Sequence, residues 1–316
     1  MIYRNLGRAG VEVSAICLGS AQLVEPTSWD DSVSIVHAAL DAGINFIDSA
    51  NVYGDSFARD RAENVLGEAL EGRRDDVVIA TKFRGSVGPG PNDSGTGRYH
   101  IMREAEHSLR RLRTDHIDLY QSHGPDPDVP IDETLRALDD LVRQGKVRYT
   151  GMSNSRAWQL AEALWTSDRL GLDSVISEQA SYNLLNRQIE REVVPLSLRY
   201  GIGILAYGPI AGGLLTGKYH RGKAPPPGSR GDQDKGWIPS VPSNHWDAID
   251  KVGEIARGLG STTGQVALAW VIAREGIASA IVGPHSLDQL EQNLGALDVE
   301  LDSDTMEALD ALLPLE

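Results

Sequence analysis

The sequence predicts an α/β protein folded as a single (β/α)8 (TIM) barrel over residues 1–316. Short apolar runs alternate with segments of helical period along nearly the whole chain, and eight such pairs occur. The runs are apolar throughout, as expected for parallel strands that are covered on both faces. Eight units in a chain of this length favour a closed barrel over an open sheet. No GxGxxG follows the first run, which argues further against an open dinucleotide-binding sheet.

The first thirteen residues lie outside the repeat. They contain LGRAGVEV, whose glycines suit the turn of a β-hairpin, and we expect this hairpin to close the bottom of the barrel. The eight predicted strands follow at 15–20, 46–50, 77–82, 117–123, 147–154, 174–181, 202–208 and 279–283.

Helical sequence follows each strand, and the first four predicted helices lie near 31–42, 60–71, 100–113 and 131–144. In the second of these, apolar residues recur at i, i+3, i+4, i+7 and i+8, which puts one apolar stripe along the helix. Those residues are Ala62, Val65, Leu66, Ala69 and Leu70.

Two long segments rich in glycine and proline follow the third and seventh predicted strands, at 84–98 and 220–244. Loops of this length are uncommon inside a compact domain and are often binding loops or lids. Both follow the carboxyl ends of strands, the face of such barrels that carries active sites. A mobile surface insertion is the alternative reading for 220–244.

Charge and apolar patterning exclude several classes of partner. The net charge is −15, so there is no basic field to attract a nucleic acid or an anionic membrane. No apolar run reaches the roughly 18 residues of a membrane span. With one cysteine and scattered histidines, no metal-ligand spacing occurs. The single Cys17 and an amino terminus without a secretory pattern predict a cytoplasmic protein.

Four polar residues stand at the ends of three consecutive predicted strands. Asp48 and Tyr53 come at and just after the second strand, Lys82 ends the third, and His123 ends the fourth. Neighbouring strands of a barrel converge at this end, so the four side chains are expected to share one pocket. Each has an ordinary structural explanation alone, such as a capping Asp or a Lys that reaches solvent. Four complementary groups together favour a catalytic site.

These residue types suit proton transfer to an oxygen. A tyrosine has a pKa of about 10 and is a poor acid at neutral pH. We expect the Lys82 ammonium to lower the pKa of Tyr53, and Asp48 to hold the ammonium in place. His123 suits a hydrogen bond to a carbonyl oxygen. Carbonyl reduction needs such an acid together with a hydride, and because no side chain donates hydride, a nicotinamide cofactor is implied.

Later strand ends offer a place for that cofactor. Ser153 and Asn154 suit its carboxamide, and Tyr207 suits stacking on a flat ring. Lys218 suits the pyrophosphate, beside glycines that let the backbone approach phosphate. The helix after the eighth strand begins near Ser286, where its amino terminus suits a phosphate.

At this point the sequence resembles the aldo-keto reductase family. The matching segments are GINFIDSANVYG, VVIATK, HIDLYQSH, QGKVRYTGMSN, LAYGPIAGGLLTGKY and IVGPHSLDQLEQNLGA, in family order across nearly the entire chain. The resemblance implies a (β/α)8 barrel that transfers hydride between NADPH and the carbonyl of an aldehyde, ketone or sugar. It also implies that Asp48, Tyr53, Lys82 and His123 form the family's catalytic tetrad.

The resemblance further implies a set of cofactor contacts. Those to nicotinamide are Ser153, Asn154, Gln179 and Tyr207. Those to pyrophosphate are Gly208, Pro209, Ile210, Gly212, Gly213 and Lys218. Those to adenosine are Gly283, His285, Gln289, Gln292 and Asn293. We also count Gly19, at the end of the first strand, and Asp48 among the cofactor-binding residues.

Three positions depart from the family pattern. Gly208 stands where relatives commonly have Ser, so one hydrogen bond to the cofactor is lost. His285 replaces an Arg that pairs with the 2′-phosphate, which weakens the preference for NADPH and leaves NADH open, although Arg230 can compensate. Gln292 replaces a Glu, with a modest effect on the adenine or ribose contact.

Two other functions stay open at this stage. Lys82 at a barrel strand end suits a Schiff-base aldolase, although a carboxylate partner keeps a lysine protonated and non-nucleophilic. Some relatives in the resembled family are cofactor-occupied, non-catalytic regulatory subunits. Within the family, the sequence looks like bacterial sugar-type members, including nucleotide-sugar ketoreductases. It leaves the substrate, the reaction direction and the oligomeric state open.

Overall fold

The computed structural model describes residues 1–24, 27–54 and 61–314. Its centre is a closed barrel of eight parallel strands, in which each strand pairs with its neighbours in sequence and the last pairs with the first. The barrel strands are β3 (Ile16–Gly19), β4 (Phe46–Asp48), β5 (Val78–Phe83), β6 (Ile117–Ser122), β7 (Val147–Ser153), β8 (Ser177–Ser181), β9 (Gly203–Tyr207) and β10 (Ile277–Val282). The predicted (β/α)8 barrel is therefore confirmed.

Helices surround the barrel and bury their apolar faces against it. They are α1 (Trp29–Asp41), α2 (Arg61–Ala69), α3 (Arg98–Arg111), α4 (Ile131–Arg143), α5 (Ala157–Leu170), α6 (Val193–Tyr200), α7 (Arg230–Gln233), α8 (Ser243–Gly258), α9 (Thr263–Ala273), α10 (Leu287–Leu294) and α11 (Ser303–Asp310). The stripe predicted near 60–71 is buried in α2, although residue 60 itself lies outside the described residues. Within the described part of the chain, none of the helices has the length and apolar character needed to cross a membrane.

The predicted amino-terminal hairpin is present as β1 (Tyr3–Asn5) and β2 (Glu12–Ser14), paired antiparallel. Leu6 and Val13 are fully buried, in one apolar cluster with Phe46, the first residue of β4. The hairpin thus covers the end of the barrel at which the strands begin, and it leaves the opposite end to the loops.

The segment predicted as an irregular loop at 220–244 is partly helical. It contains α7, and α8 already begins at Ser243. Side-chain contacts order this glycine- and proline-rich stretch: the Asp232 carboxylate accepts from the Gly228 backbone nitrogen at 2.9 Å, and the Arg230 guanidinium lies 4.6 Å from the centre of the Trp237 ring.

Replacing Gly7 by Ala should destabilise the protein strongly. Gly7 has φ +59°, and a β-carbon there would lie 2.5–2.6 Å from backbone atoms of Ile176, Gly201 and Gly203. Strained backbone and overpacking together predict a loss of about 2–4 kcal/mol in the free energy of unfolding, measured by urea denaturation. Gly10→Ala is the matched control, because nothing lies within 4 Å of its β-carbon. Equal losses for both variants would contradict this account of the hairpin.

Candidate active site

The four predicted catalytic residues meet at the carboxyl end of the barrel. Asp48 is the last residue of β4, and Lys82 lies at the end of β5. His123 follows β6 directly, and its backbone nitrogen donates to the Phe83 carbonyl at 3.1 Å. Tyr53 returns toward the strands through a turn in which its nitrogen donates to the Ala50 carbonyl at 3.2 Å. Adjacent parallel strands therefore deliver these side chains to one place.

The Lys82 ammonium is fully buried and has three hydrogen-bond acceptors. It donates to Asp48 Oδ2 at 2.5 Å, to the Ser49 carbonyl at 2.9 Å and to the Tyr53 hydroxyl oxygen at 3.2 Å. An ammonium carries three N–H donors, so these contacts use all of them. Tyr53 accepts in this arrangement, and its own O–H proton is left to be donated elsewhere.

The second oxygen of Asp48 is also bonded. Gln179 Nε2 donates to Asp48 Oδ1 at 2.8 Å, and Gln121 Nε2 lies 3.5 Å from the same atom. No sequence pattern indicates this contact, and Gln179 was predicted only as a cofactor-binding residue. Its Oε1 accepts no hydrogen bond from any residue that the structure describes. Gln179 can therefore support Asp48 and still offer an acceptor to a ligand.

Burial and the neighbouring groups have opposite effects on the pKa of Lys82. Burial, the largest single influence, lowers the pKa of Lys82, but the attraction of Asp48 and the contact with Tyr53 outweigh it and raise the pKa. The lysine thus stays protonated at neutral pH. A protonated amine cannot attack a carbonyl, which disfavours the Schiff-base alternative.

The predicted net lowering of the Tyr53 pKa is wrong. Burial raises the pKa of Tyr53, and the nearby Asp48 carboxylate adds to that effect; Lys82 lowers the pKa but does not compensate. The net direction is upward, because a buried phenolate loses more hydration than one ammonium replaces. Tyr53 consequently keeps its proton at neutral pH.

His123 is neutral over the physiological pH range. Burial, together with the positive charges of Lys82 and Arg84, lowers the pKa of His123 to about 4. Its ring stands edge-on to Tyr53, with the ring centres 5.7 Å apart. A neutral imidazole carries one N–H, so His123 can donate one hydrogen bond to an oxygen placed between the two rings.

A cavity of about 350 Å³ opens beside these residues. That volume lies within the range of small-ligand sites. Its lining consists of Gly19, Ala21, Asp48, Tyr53, His123, Ser153, Asn154, Gln179, Tyr207, Gly208, Ile281 and Gly283. All but two of these were predicted site residues. Ala21 and Ile281 were missed because they are small or apolar and carry no chemistry that a sequence pattern could mark.

Hydrogen bonds link the polar residues on the side of the cavity formed by β7, β8 and β9. The Tyr207 hydroxyl donates to Asn154 Oδ1 at 2.9 Å, and the Ser153 hydroxyl donates to the Gln179 carbonyl at 2.9 Å. Asn154 has φ +58°, a left-handed conformation that Asn tolerates better than most residues. Tyr207 is 36% exposed and lines the cavity, so part of it is accessible to a ligand.

The residues predicted to contact pyrophosphate follow β9, and of these only Gly208 lines that cavity. Gly208, Gly212 and Gly213 have φ +63°, +65° and +102°, which only glycine adopts without strain. A β-carbon on Gly212 would meet the Arg230 guanidinium at 2.7 Å, and one on Gly213 would meet the Lys218 ammonium at 3.4 Å. Both cations therefore lie against this turn, and among the described residues neither forms an ion pair with a carboxylate. Pro209 and Ile210 lie on the same turn.

The residues predicted to contact adenosine lie around the start of α10. Ser286 caps this helix, accepting from the Gln289 nitrogen at 3.3 Å, so the predicted helix start is confirmed. The His285 ring and the Gln289 amide are 2.8 Å apart. Gln292 and Asn293 lie further along the helix, and Gln292 also lines a surface depression with Asp288 and Glu291.

Comparison with known proteins decides the family. The model of the aldo/keto reductase family matches residues 15–314. The chain belongs to the aldo/keto reductase family. As a member it is an NAD(P)H-dependent reductase, and the predicted resemblance is confirmed.

Similar members of the aldo/keto reductase family carry different names. The chain is 37% identical to the uncharacterized oxidoreductase YrpG of Bacillus subtilis, over 99% of this chain and 96% of that protein. It is 38% identical to a probable voltage-gated potassium channel subunit beta of Arabidopsis thaliana, over 95% and 92%. It is 32% identical to the L-glyceraldehyde 3-phosphate reductase of Escherichia coli O157:H7, over 94% and 88%.

Acid should destabilise this reductase through His123. Its folded-state pKa of about 4 lies below the ordinary 6.5, so the unfolded chain binds the proton more readily. Stability is therefore fully present above about pH 6.5 and falls as the pH drops toward 4, by roughly 2–3 kcal/mol. Urea unfolding at several pH values should show a shallower slope in His123→Gln than in the wild type. His220→Gln, at an exposed site, should keep the wild-type slope, and a parallel flattening there would contradict the assignment.

Proposed function

We propose that the protein reduces the carbonyl of an aldehyde, ketone or sugar with NAD(P)H, and that Tyr53 is the general acid. One observation supports this proposal most directly. The Lys82 ammonium donates its three N–H groups to Asp48, to the Ser49 carbonyl and to the Tyr53 oxygen. The Tyr53 O–H proton is not used in these contacts, and Tyr53 and His123 line the same cavity. An acid that holds its proton and faces a cavity is what a developing alkoxide requires.

The residues around the cavity fit a nicotinamide. Tyr207 is a partly exposed aromatic residue in the lining and suits stacking, Gln179 Oε1 offers an acceptor for the carboxamide N–H, and Ser153 and Asn154 border the same space. Gly19, Gly208 and Gly283 border the cavity with backbone rather than side chain. When bound, the nicotinamide supplies the hydride.

The protein's own side chains would orient the carbonyl oxygen and transfer the proton to it. His123 donates a hydrogen bond to the carbonyl oxygen and, because it is neutral, does not compete as an acid. Tyr53 passes its proton to the oxygen as negative charge develops there. The resulting phenolate accepts from the Lys82 ammonium, which lies 3.2 Å away and stays charged because Asp48 is beside it. Gln179 holds Asp48 in turn.

The phosphate groups of the cofactor would lie against the turn after β9. Lys218 and Arg230 supply positive charge there, and Gly212 and Gly213 let the backbone approach. Gly208 has a left-handed backbone conformation, which glycine adopts without strain. The serine hydroxyl that relatives commonly have at this position is therefore absent, but the turn is unstrained. His285 and Gln289 would face the adenosine. With no arginine at position 285, we propose that NADPH and NADH are both accepted.

Sugars and small aldehydes are the substrates that we propose. The Escherichia coli relative is named for an aldose phosphate, and the sequence resembles sugar-type members of the family. The direction of the reaction is proposed as reduction.

A second candidate is a nicotinamide-binding regulatory subunit. It is favoured by the similarity to plant proteins named as potassium channel subunits, at 38% and 36% identity. Tight cofactor binding without turnover of any carbonyl would support this function over the first. Asp48, Lys82 and Tyr53 are linked by hydrogen bonds, and the His123 ring lies edge-on to Tyr53, which is the reason to place catalysis first.

Replacing Tyr53 by Phe should remove most of the reductase activity. The ring packing is kept while the acidic proton is lost, so kcat should fall by about 10²–10⁴-fold with little change in cofactor affinity. The assay follows NADPH and NADH absorbance with 4-nitrobenzaldehyde, glyceraldehyde and a panel of sugars, and fluorescence quenching gives the cofactor Kd.

Tyr200→Phe is the matched control for Tyr53→Phe, because Tyr200 is 53% exposed on α6. It should keep the wild-type kcat. If Tyr53→Phe were as active as this control, Tyr53 would not be the acid. If the wild type bound cofactor but reduced no carbonyl, the regulatory function would replace the catalytic one.

His285→Arg should shift the cofactor preference toward NADPH. An arginine can pair with a 2′-phosphate in two parallel hydrogen bonds and is always charged. A charged hydrogen bond is worth about 1.5–3 kcal/mol, so the ratio of Kd for NADH to Kd for NADPH should rise by roughly 10–100-fold. His220→Arg adds the same charge at another exposed site, and an equal rise there would show that net charge alone is responsible.

A further inference from the structure

Arg84 stands close to the candidate catalytic residues but has no role in the proton transfer described above. It follows β5 directly, two positions after Lys82. Its φ is +91°, a left-handed conformation that is rare for a residue with a β-carbon. Non-glycine residues held in such regions cluster at binding and active sites. The strained backbone conformation of Arg84 therefore indicates a functional role for this residue.

The backbone at Arg84 lies between two segments of the site. On one side, a β-carbon on the next residue, Gly85, would meet the Val52 side chain at 2.4 Å, so this backbone packs against the residue before Tyr53. On the other side, the Arg84 guanidinium lies 3.8–3.9 Å from the position that a β-carbon on Gly124 would take. Gly124 follows His123. Arg84 is therefore next to the turns that carry both candidate catalytic rings.

Among the residues that the structure describes, no carboxylate balances the charge of Arg84. Its Nε is buried and has no hydrogen-bond partner, and no carboxylate of the described residues lies within ion-pair distance of the guanidinium. Several other partly buried arginines differ from Arg84: Arg74, Arg111 and Arg187 each pair with a carboxylate at 2.6–2.8 Å. Acidic residues outnumber basic ones 45 to 30, so an unpaired arginine is not caused by a shortage of carboxylates.

The positive charge of Arg84 acts on His123 in the candidate active site. This charge is one of the causes that lower the pKa of His123. A buried donor without a partner costs free energy, and a structural arginine would normally be given an acceptor. A ligand with an anionic group would supply that acceptor and would also balance the charge that disfavours protonation of His123.

We infer that Arg84 binds an anionic group of the substrate, so that the protein prefers carbonyl compounds that carry a phosphate or a carboxylate. This inference rests on the proposed reductase function and narrows its substrate class. The guanidinium presents parallel N–H donors that match either anion. Arg84 acts here on binding, while Tyr53 and His123 act on the carbonyl oxygen.

Matched pairs of substrates test the preference. Glyceraldehyde 3-phosphate is compared with glyceraldehyde, and 4-carboxybenzaldehyde with 4-nitrobenzaldehyde, with the same cofactor. In the wild type, kcat/KM should be at least 10-fold higher for the anionic member of one pair. The phosphate pair and the carboxylate pair distinguish which anion the site takes.

Three variants assign the preference to Arg84. Arg84→Gln should reduce the anionic-to-neutral ratio of kcat/KM by at least 10-fold, mainly through KM of the anionic substrate, and Arg84→Lys should retain part of it. The ratio is the useful quantity, because any change in His123 acts on both members of a pair alike. Arg257→Gln, which removes the same charge from an exposed site on α8, should leave the ratio unchanged.

Arg84→Gly distinguishes an effect on substrate binding from an effect on the stability of the protein. Glycine adopts φ +91° without strain, so this variant should unfold at a higher temperature than the wild type while the anionic preference is lost. A stabilised protein with an unchanged ratio would overturn the inference. A wild type that reduces neutral aldehydes with no preference would overturn it as well, while leaving the reductase function intact. Failure to reduce any aldehyde would instead overturn the proposed function.

Discussion

One buried ammonium organises the active end of this barrel. Lys82 is fully excluded from solvent, and its three N–H groups are divided among a carboxylate, a backbone carbonyl and a phenol. An unpaired charge at that depth would be very costly, so Asp48 is required for the lysine to be there at all. Tyr53 is then positioned by the only donor left over. The placement of the phenol is thus a consequence of satisfying the lysine.

The same burial that makes this arrangement specific also sets the acid–base state of the site. Removing water raises the pKa of Tyr53 and lowers that of His123, so both rings are neutral donors before a substrate arrives. Lys82 and Asp48 form a buried ion pair beside these rings, and Gln179 donates to the second oxygen of Asp48. The site is therefore prepared for negative charge that appears only during the reaction, which is the charge an enzyme must stabilise to accelerate it.

Sequence reasoning predicted the barrel and the meeting of the four residues, because apolar strands and polar strand ends are local patterns and barrel geometry brings such ends together. It could not predict the direction of the Tyr53 pKa shift, which depends on depth below the surface. The bond from Gln179 to Asp48 joins residues 131 positions apart and depends on side-chain reach across the barrel. No sequence pattern pointed to Arg84, because its lack of a hydrogen-bond or ion-pair partner among the described residues can be seen only in the structure. The short helix α7 was hidden by its glycine- and proline-rich surroundings.

The hairpin at the amino terminus has a consequence for how the chain is made. Gly7 packs against backbone atoms of Ile176, Gly201 and Gly203, near the starts of β8 and β9. During synthesis the hairpin must therefore wait until the chain has been made as far as Gly203 before its docking surface exists. Until then Leu6 and Val13, which are fully buried in the finished barrel, have no native contacts with β9. The lower end of the barrel is thus closed late, by a segment that is translated before any of the barrel strands.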